Sequence, residues 1–383
     1  MTQRSIPAVF MRGGTSKGLM LHARDLPDLR DTWAPLLCAA MGSPDENGRQ
    51  LNGMGGGLSS LSKVCVLAPS TRHDADVNFT FAQVMIKEAR VDYRANCGNM
   101  SSAVGPFVFD EGLVRQHDGQ CVVRIHNTNT DKIIRSTFDV DGRYTRYEGD
   151  LAIPGVSGTG APIRLDFLEP GGATTGRLLP TGDVTDWIEL SGRDPLEVSL
   201  IDAANAAVFV RARDVGLRGN ELPHELDARE EVLPLLEGIR RAASVRMGIS
   251  ADLASASTTT SVPFVCVVSE SDESTTLSGE VIGAAQADLL ARVISSGQPH
   301  RALPLTIALC TAVAARLEGS VVHQSLGDAH DGPLRLAMPS GLLGVDADVQ
   351  RHEGEWTARS GTFYRTARRL FDGRVWIPST NLD

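Results

Sequence analysis

The spacing of apolar residues in the first half of the chain predicts strands around one buried helix. Segment 77–84 alternates apolar and polar residues, which is the pattern of a half-buried strand. Segment 61–67 has the pattern of another strand, and its period of two puts Lys63 and Cys65 on one mainly apolar face. Residues 100–109 are small or apolar on every side, which predicts a buried helix.

The second half repeats this arrangement. Segment 196–210 is strand-like, and the small residues over 307–317 predict a second buried helix. One buried helix per half, among many strands, predicts an α+β protein of two similar domains. The length of 383 residues also favours two domains over one. The turn-rich segment 178–183 marks the expected boundary, so the domains are 1–183 and 184–383, with the last strand able to pack back on the first domain.

Composition and charge narrow the class of partner. Hydrophobic residues make up 42% of the chain and charged residues 22%, a normal globular mixture with enough apolar material for a large core. The 47 acidic residues outnumber the 37 Lys and Arg, which gives a formal net charge of −10. Nucleic acids and anionic membranes need clustered positive charge, so neither is expected as a partner. A small anionic substrate remains compatible, because a few local cations and helix N-termini can bind one.

The cysteines and the N-terminus indicate a cytoplasmic protein. The N-terminal residues lack the long apolar core of a signal peptide, and no apolar run reaches membrane-spanning length. The six cysteines are scattered without a CxxC pair, which favours reduced thiols over disulfides or a zinc site. The nine histidines show no metal-ligand spacing, and no serine lies in a GxSxG context, so neither metal catalysis nor serine hydrolysis is predicted.

Lys63 is an ammonium on the apolar face of its predicted strand. Burial disfavours the charged form of a lysine and so prepares it to act as a base near neutral pH. The alternative is a strand-end lysine whose long side chain reaches water. The strand pattern alone leaves both interpretations open.

Cys97 stands just before the predicted buried helix. The unpaired N–H groups and the positive dipole end of a helix stabilise a thiolate, and the same groups can bind a substrate carboxylate or a developing enolate oxygen. Gly98 lets a ligand approach the backbone closely, and Asn99 offers polar contacts. The alternative is a buried structural cysteine, which is our interpretation of the other five.

A Gly-rich loop over residues 12–18 combines two cations, two hydroxyls and exposed amides. Its candidate carboxylate-binding side chains are Arg12, Thr15, Ser16 and Lys17. The loop does not match the phosphate-binding P-loop pattern, so it does not predict nucleotide binding. The alternative is an ordinary Gly-rich hairpin.

Taken together, these motifs resemble the PrpF family in order over nearly the whole chain. The matching segments are MRGGTSKG (11–18), MGSPD (41–45), SSLSKV (59–64), NCGN (96–99), LPTG (179–182), RMG (246–248), PSG (339–341) and RTAR (365–368). The family includes methylaconitate cis-trans isomerase, 4-oxalomesaconate tautomerase and methylitaconate delta-isomerase. The resemblance implies a diaminopimelate epimerase-like fold, in which each domain wraps a barrel-like, mostly antiparallel sheet around a central helix. It also implies an active site where the two helix N-termini face each other.

The resemblance also implies roles for individual residues. Lys63 aligns with the essential lysine base of the family and Cys97 with its active-site cysteine. The substrate-binding residues expected on this basis are Ser62, Asn96, Gly98, Asn99, Leu305, Thr306 and Ser340, besides the four of the 12–18 loop. Diaminopimelate epimerases use two cysteines, one per domain, whereas the second helix here begins without one. A mechanism with Lys63 and Cys97 on one side is therefore favoured over a two-thiol racemase.

The resulting hypothesis is an allylic isomerase, or tautomerase, of an unsaturated di- or tricarboxylate. Lys63 removes a proton from the carbon γ to a conjugated carboxylate or keto group, and a dienolate forms. The proton returns to the α carbon from Lys63 or Cys97. No cofactor or metal is expected, because the conjugation of the substrate is itself the electron sink.

Two other classes of function stay open at this point. One is an amino-acid racemase or epimerase on the same fold, against which the missing second cysteine argues. The other is a non-catalytic protein that binds small acids. The sequence does not name the substrate, and a homodimer is expected only from symmetry statistics.

Overall fold

The computed structural model describes residues 4–93, 97–115, 119–259, 262–295, 297–327 and 332–378. The strands are β1 (Arg4–Gly13), β2 (Ser16–His22), β3 (Lys63–Pro69), β4 (Val77–Val84), β5 (Val91–Asp92), β6 (Gly119–Asn127), β7 (Lys132–Asp141), β8 (Tyr144–Thr145), β9 (Leu151–Ala152), β10 (Thr159–Gly160), β11 (Ile163–Leu168), β12 (Asp186–Ile188), β13 (Leu196–Ala203), β14 (Asn205–Arg211), β15 (Phe264–Glu270), β16 (Ser274–Thr275), β17 (Val281–Ile282), β18 (Leu289–Ser295), β19 (Gln298–Pro299), β20 (Leu334–Met338), β21 (Gly341–His352), β22 (Glu355–Arg365) and β23 (Ala367–Ile377). The α-helices are α1 (Trp33–Met41), α2 (Gly98–Asp110), α3 (Pro223–Asp227), α4 (Val232–Arg246), α5 (Leu253–Thr258), α6 (Leu305–Arg316) and α7 (Val321–Gln324). Short 3-10 helices cover Ala23–Asp25, Arg30–Thr32, Ser59–Leu61, Ala212–Val215 and Ala284–Gln286.

The chain forms two compact units. The first comprises the residues up to 166 together with those from 364 onward, and the second comprises 167–363. Segment 167–183, which the sequence analysis assigns to the first domain, lies in the second unit. None of the helices in these described ranges has both the length and the apolarity needed to cross a membrane.

The sheet of the first unit surrounds α2. The β1–β2 hairpin is antiparallel, β2 runs parallel to β3, β3 pairs antiparallel with β4, β4 runs parallel to β6, and β6 pairs antiparallel with β7. The C-terminal strand β23 pairs antiparallel with β1. The central helix α2 contacts β1, β2, β3, β6, β7, β8 and β23. All of its residues from Met100 to Phe109 are buried, as expected of a helix that is apolar or small on every side.

The second unit repeats the same order of pairings. β13 and β14 form an antiparallel hairpin, β14 runs parallel to β15, β15 pairs antiparallel with β18, β18 runs parallel to β20, and β20 pairs antiparallel with β21. The central helix here is α6, which contacts β13, β14 and β21. The predicted α+β class with two similar halves is therefore confirmed.

Local predictions hold to different degrees. Strand 77–84 and the two buried helices lie where the patterns place them. Segment 196–210, predicted as one strand-like stretch, is a hairpin that turns at Ala204, whose φ is 59°. The turn carries Asp202 and Asn205 beside two alanines but neither Gly nor Pro, so the residues there do not mark it clearly.

Candidate active site

Lys63 begins β3 and lies on the face of the sheet toward α2. Val64 and Val66 belong to the core cluster that contains α1, so the alternation of a strand turns Lys63 and Cys65 to the opposite face. That face is the one α2 covers, because α2 contacts β3. Lys63 is only 8% exposed, so the burial expected from its pattern is present.

Two neutral side chains of β4 surround the Lys63 ammonium. Its Nζ donates to Oε1 of Gln83 over 2.6 Å and lies 4.9 Å from the centre of the Phe81 ring. Lys63 and Gln83 are direct cross-strand partners in the β3–β4 register. Gln83 in turn donates through Nε2 to the carbonyls of Ser62 and Ser59, over 2.9 and 3.1 Å. No Asp or Glu in the part of the chain that the structure describes forms an ion pair with Lys63.

The Ser62 side chain points away from Lys63 into a buried polar network. Its hydroxyl donates to the carbonyl of Val84 over 2.9 Å and accepts from Nε2 of Gln50 over 2.7 Å. Gln50 is fully buried with φ of 54°, and it also donates to Ser43 Oγ and accepts from the Gly57 N–H. The Ser62 hydroxyl, predicted to bind substrate, is thus already paired within the protein.

Cys97 is the N-cap residue of α2. Its backbone is extended, and its carbonyl accepts from the N–H and the hydroxyl of Ser101, over 2.9 and 3.0 Å. It is half-buried, whereas Cys38, Cys65, Cys121, Cys266 and Cys310 are all buried. Gly98 and Asn99 form the first helical turn, whose N–H groups have no partner within the helix. Asn96, also predicted to bind substrate, lies outside the described residues.

Cys65 shows that the lysine and the cysteine share one neighbourhood. Burial raises the pKa of the Cys65 thiol well above its usual range, the charge of Cys97 raises it further, and the ammonium of Lys63 lowers it. The effect of both groups on one buried thiol requires both to lie near it, since such interactions fall off with distance. Both predicted catalytic residues therefore lie within electrostatic range of the Cys65 thiol, inside the first unit.

The β1–β2 turn packs on the N-terminus of α2. Gly14 has φ of 52°, and a Cβ there would lie 2.2 Å from Oδ1 of Asn99; a Cβ on Gly13 would lie 2.6 Å from the Asn99 carbonyl oxygen. The Asn99 amide donates to Thr15 Oγ1 over 3.0 Å, and its Oδ1 accepts from the Thr15 N–H over 3.4 Å. Ser16 is the cross-strand partner of Gly13, so its side chain lies on the face of the hairpin that packs against α2. Thr15, Ser16 and Asn99 thus gather around the start of α2.

The two cations of the loop lie on its other face. Arg12 and Lys17 are cross-strand partners one position away from the Gly13–Ser16 pair, so their side chains point oppositely. Arg12 donates to the carbonyls of Gly14 and Thr366, over 2.9 and 3.0 Å. Burial, and then the charge of Arg368, lower the pKa of Arg12. Lys17 Nζ lies 5.9 Å from the centre of the Phe10 ring.

Three predicted binding residues belong to the second unit. Leu305 is buried and Thr306 half-buried, and they open α6 behind the N-cap residue Pro304. The hydroxyl oxygen of Ser340 is buried and has no hydrogen-bond partner among the residues described. Cys310 lies inside α6 and is fully buried, and burial raises the pKa of its thiol well above the usual range.

The sequence analysis missed Gln83, Phe81 and Gln50. The alternation of 77–84 puts Phe81 and Gln83 on one face, but the register that brings Gln83 opposite Lys63 is a non-local pairing. Nothing in the local pattern around Gln50 predicts its burial. Within the described ranges, no three His, Cys, Asp or Glu side chains lie close enough together to hold a metal ion.

Comparison with known proteins identifies the family. The PrpF protein family matches residues 3–378. The chain belongs to the PrpF family. It is 38% identical over 383 residues to 3-methylitaconate isomerase of Eubacterium barkeri, covering 99% of each chain. With relatives this similar over the full length, this member of the family is an isomerase.

Solved structures agree on the fold. The crystal structure of a methylitaconate-delta-isomerase is similar with a TM-score of 0.92 and 37% identity, covering 100% of this chain and 98% of that one. A hydroxyproline epimerase from Agrobacterium vitis has a TM-score of 0.52 at 12% identity, covering 99% of this chain and 95% of that one. This similarity shows a likeness of fold alone. The PrpF protein thus has the diaminopimelate epimerase-like α+β fold that the sequence motifs implied.

Proposed function

We propose that this protein is an allylic isomerase that shifts or rotates a C=C bond in an unsaturated di- or tricarboxylate, with Lys63 as the base. The observation that supports it most is the Lys63 ammonium itself. It is buried on the face toward α2, it is held by the neutral groups Gln83 and Phe81, and it lies in one neighbourhood with Cys97.

The neutral surroundings of Lys63 suit a base that must lose and regain a proton. A carboxylate partner would hold the ammonium charged, whereas an amide oxygen accepts from both the ammonium and the neutral amine. We propose that the neutral amine takes the proton from the carbon γ to a conjugated carboxylate or keto group. The electron pair of the C–H bond then enters the conjugated system, and a dienolate forms.

The start of α2 supplies the stabilisation of that dienolate. The N–H groups of Gly98 and Asn99 lie at the positive end of the helix, where developing negative charge is favoured. Such donors lower a barrier by several kcal/mol, on the order of 3 for one well-placed donor. Thr15 and Ser16 border the same turn and are proposed to bind a carboxylate. Arg12 and Lys17 lie on the other face of the hairpin. We therefore propose that they add positive charge near the substrate and do not bind it as Thr15 and Ser16 do.

When the proton returns at the α carbon, from Lys63 or from Cys97, the double bond shifts. When it returns at the γ carbon after rotation in the dienolate, the double bond keeps its place and changes its geometry. The reaction is balanced without a co-reactant, since one proton leaves and one returns. We propose that no cofactor takes part, because the conjugation of the substrate holds the electron pair. Asn96, Leu305, Thr306 and Ser340 stay proposed as substrate-binding residues on the family resemblance alone. The Ser62 hydroxyl is proposed to support the β3 backbone, given its bonds to Gln50 and Val84.

Two finer properties complete the proposal. The six cysteines are free thiols, which supports a reducing compartment such as the cytoplasm. A homodimer is proposed on symmetry statistics alone, and sedimentation measures it.

The function is tested by proton NMR in deuterium oxide. The protein is incubated with cis-aconitate, methylaconitate, methylitaconate and oxalomesaconate, and separately with proline and diaminopimelate. We expect one or more unsaturated acids to isomerise or exchange an allylic proton, and the amino acids to stay unlabelled. Exchange at the α carbon of an amino acid, with no reaction of any unsaturated acid, would replace the proposal with a racemase.

A further inference from the structure

We infer that Gln83 is the positioning residue of the Lys63 base, an inference that rests on the proposed function. It fixes where the Lys63 nitrogen lies and which way its lone pair points, and it does so as a neutral acceptor. Nothing in the local sequence or in the names of the relatives assigns this role.

The orientation of the Gln83 amide is determined by its other contacts. Its NH₂ group faces two carbonyl oxygens, those of Ser62 at 2.9 Å and Ser59 at 3.1 Å. A flipped amide would set its oxygen against both carbonyls and its NH₂ against the ammonium of Lys63, so three favourable contacts would become unfavourable. Oε1 must therefore face Lys63, which it contacts at 2.6 Å.

This amide ties the Lys63 side chain to the backbone that carries it. Ser59 belongs to the 3-10 turn just before β3, and Ser62 is the residue next to Lys63. The Ser62 carbonyl also accepts from the Val84 N–H over 3.1 Å. One Gln83 side chain thus contacts the turn, the strand and the ammonium, so a movement of the turn would move the base.

The contact also directs the lone pair of the neutral amine. After losing a proton, Lys63 keeps two N–H bonds, and one of them continues to Gln83 Oε1. The Phe81 ring covers a second side of the nitrogen. The lone pair is left to point away from both, which is the direction in which the amine can take a proton from carbon.

The first test replaces Gln83 with methionine, which keeps the volume of the side chain and removes its hydrogen bonds. Without the amide, Nζ loses its fixed position, and a displacement of the base by about 1 Å costs on the order of 10²-fold in rate. We expect kcat of Gln83→Met to fall by about that factor with a smaller change in KM. A kcat within about threefold of the wild type would overturn the inference.

The second test replaces Gln83 with glutamate and follows two pH dependences. A carboxylate in contact with the ammonium favours the charged form, and such a partner moves a titration by about 1 to 3 pH units. We expect the acidic limb of the kcat/KM profile to move to higher pH by at least about one unit. We expect the same shift in the pH at which Lys63 becomes half-reactive toward an acylating reagent, measured by peptide mass spectrometry. Unchanged midpoints in both measurements count against the inference.

The matched control is Thr80→Val on the same strand. Thr80 is buried, bonds Thr128 over 2.7 Å, and stands on the opposite face of β4 from Gln83. Thr80→Val removes a buried hydrogen bond and leaves the contacts of Lys63 unchanged, so neither pH midpoint should move.

If Gln83→Glu fails to fold, the Gln83→Met result decides. The acylation measurement needs no turnover, so a wild type without isomerase activity would refute the proposed function and still leave the positioning of Lys63 testable.

Discussion

The two units of the molecule share a topology and differ at the positions proposed to carry chemistry. In the first unit, the third residue of β2 is paired in parallel with Lys63, the first residue of β3; in the second, the third residue of β14 is paired with Phe264, the first residue of β15. The N-cap of the central helix is Cys97 in the first unit and Pro304 in the second. The fold therefore needs neither an amine nor a thiol at these places, and their presence in the first unit is an addition to the fold.

Two residues further along the same strands, the two units are alike. Cys65 and Cys266 occupy equivalent places in β3 and β15, and both are fully buried. Burial raises the pKa of Cys266 to about 12, and that of Cys65 well above its usual range. A thiol at this depth is a core residue in either unit, so exposure at a helix start distinguishes Cys97 from the rest.

The largest expected effect is that of Lys63→Ala. It removes the proposed base, and loss of general base catalysis costs about 10² to 10⁴-fold. We expect kcat/KM to fall by a factor in the upper part of that range. Circular dichroism and the melting temperature should still show a folded protein. Turnover close to normal would contradict the assignment.

The next effect is that of Cys97→Ser. If Lys63 handles both proton steps, the loss is milder, on the order of 10-fold; if Cys97 returns the proton, it approaches that of Lys63→Ala. Steady-state kinetics on the substrate identified by NMR separate the two. Cys310→Ser, inside the buried helix of the second unit, is the comparison and should change stability more than kcat.

The turns of the β1–β2 and β13–β14 hairpins should differ in how much a Gly/Ala substitution changes the free energy of unfolding. Gly14→Ala puts a Cβ against Asn99 at a left-handed φ, which costs about 2 kcal/mol or more from backbone strain and the clash. Ala204 already has φ of 59°, so Ala204→Gly should stay within about 1 kcal/mol of the wild type, as relieved strain offsets unfolded-state entropy. Urea unfolding measures both. Equal destabilisation by the two exchanges would show that Gly14 has no special role.

The last effect appears only in alkali and concerns the buried thiols. Because the folded pKa of Cys266 is about 12, above its ordinary value of 9.0, its contribution to stability is complete below pH 9 and is lost as pH rises toward 12. The free energy of unfolding should therefore fall above pH 9, by up to about 1.4 kcal/mol per pH unit for this one group. Cys266→Ala should flatten that fall in urea titrations at pH 8 and pH 10.5. An identical fall in both proteins would assign it to other groups.

Sequence patterns predict the α+β class and both buried helices, because each depends on local periodicity. They also point to Lys63 and Cys97 as candidates, through a strand face and a helix start. Gln83 and Phe81 could not be assigned, since their facing of Lys63 depends on the β3–β4 register. The use of Ser62 and Gln50 in a buried network depends on how the 43–57 loop folds back, which no period encodes. Strand alternation puts Arg12 and Lys17 on the opposite face of the hairpin from Ser16. That prediction requires knowing that the turn has two residues, Gly14 and Thr15.

The central claim is that Lys63 moves the proton, and one side-by-side NMR experiment in deuterium oxide tests it most directly. Wild type and Lys63→Ala are incubated at equal concentration with the unsaturated acid that reacts best. We predict that the wild type isomerises the acid or places deuterium on its allylic carbons, while Lys63→Ala leaves both the double bond and the allylic protons unchanged over the same time. Isomerisation or exchange by Lys63→Ala at a rate near that of the wild type would contradict the account.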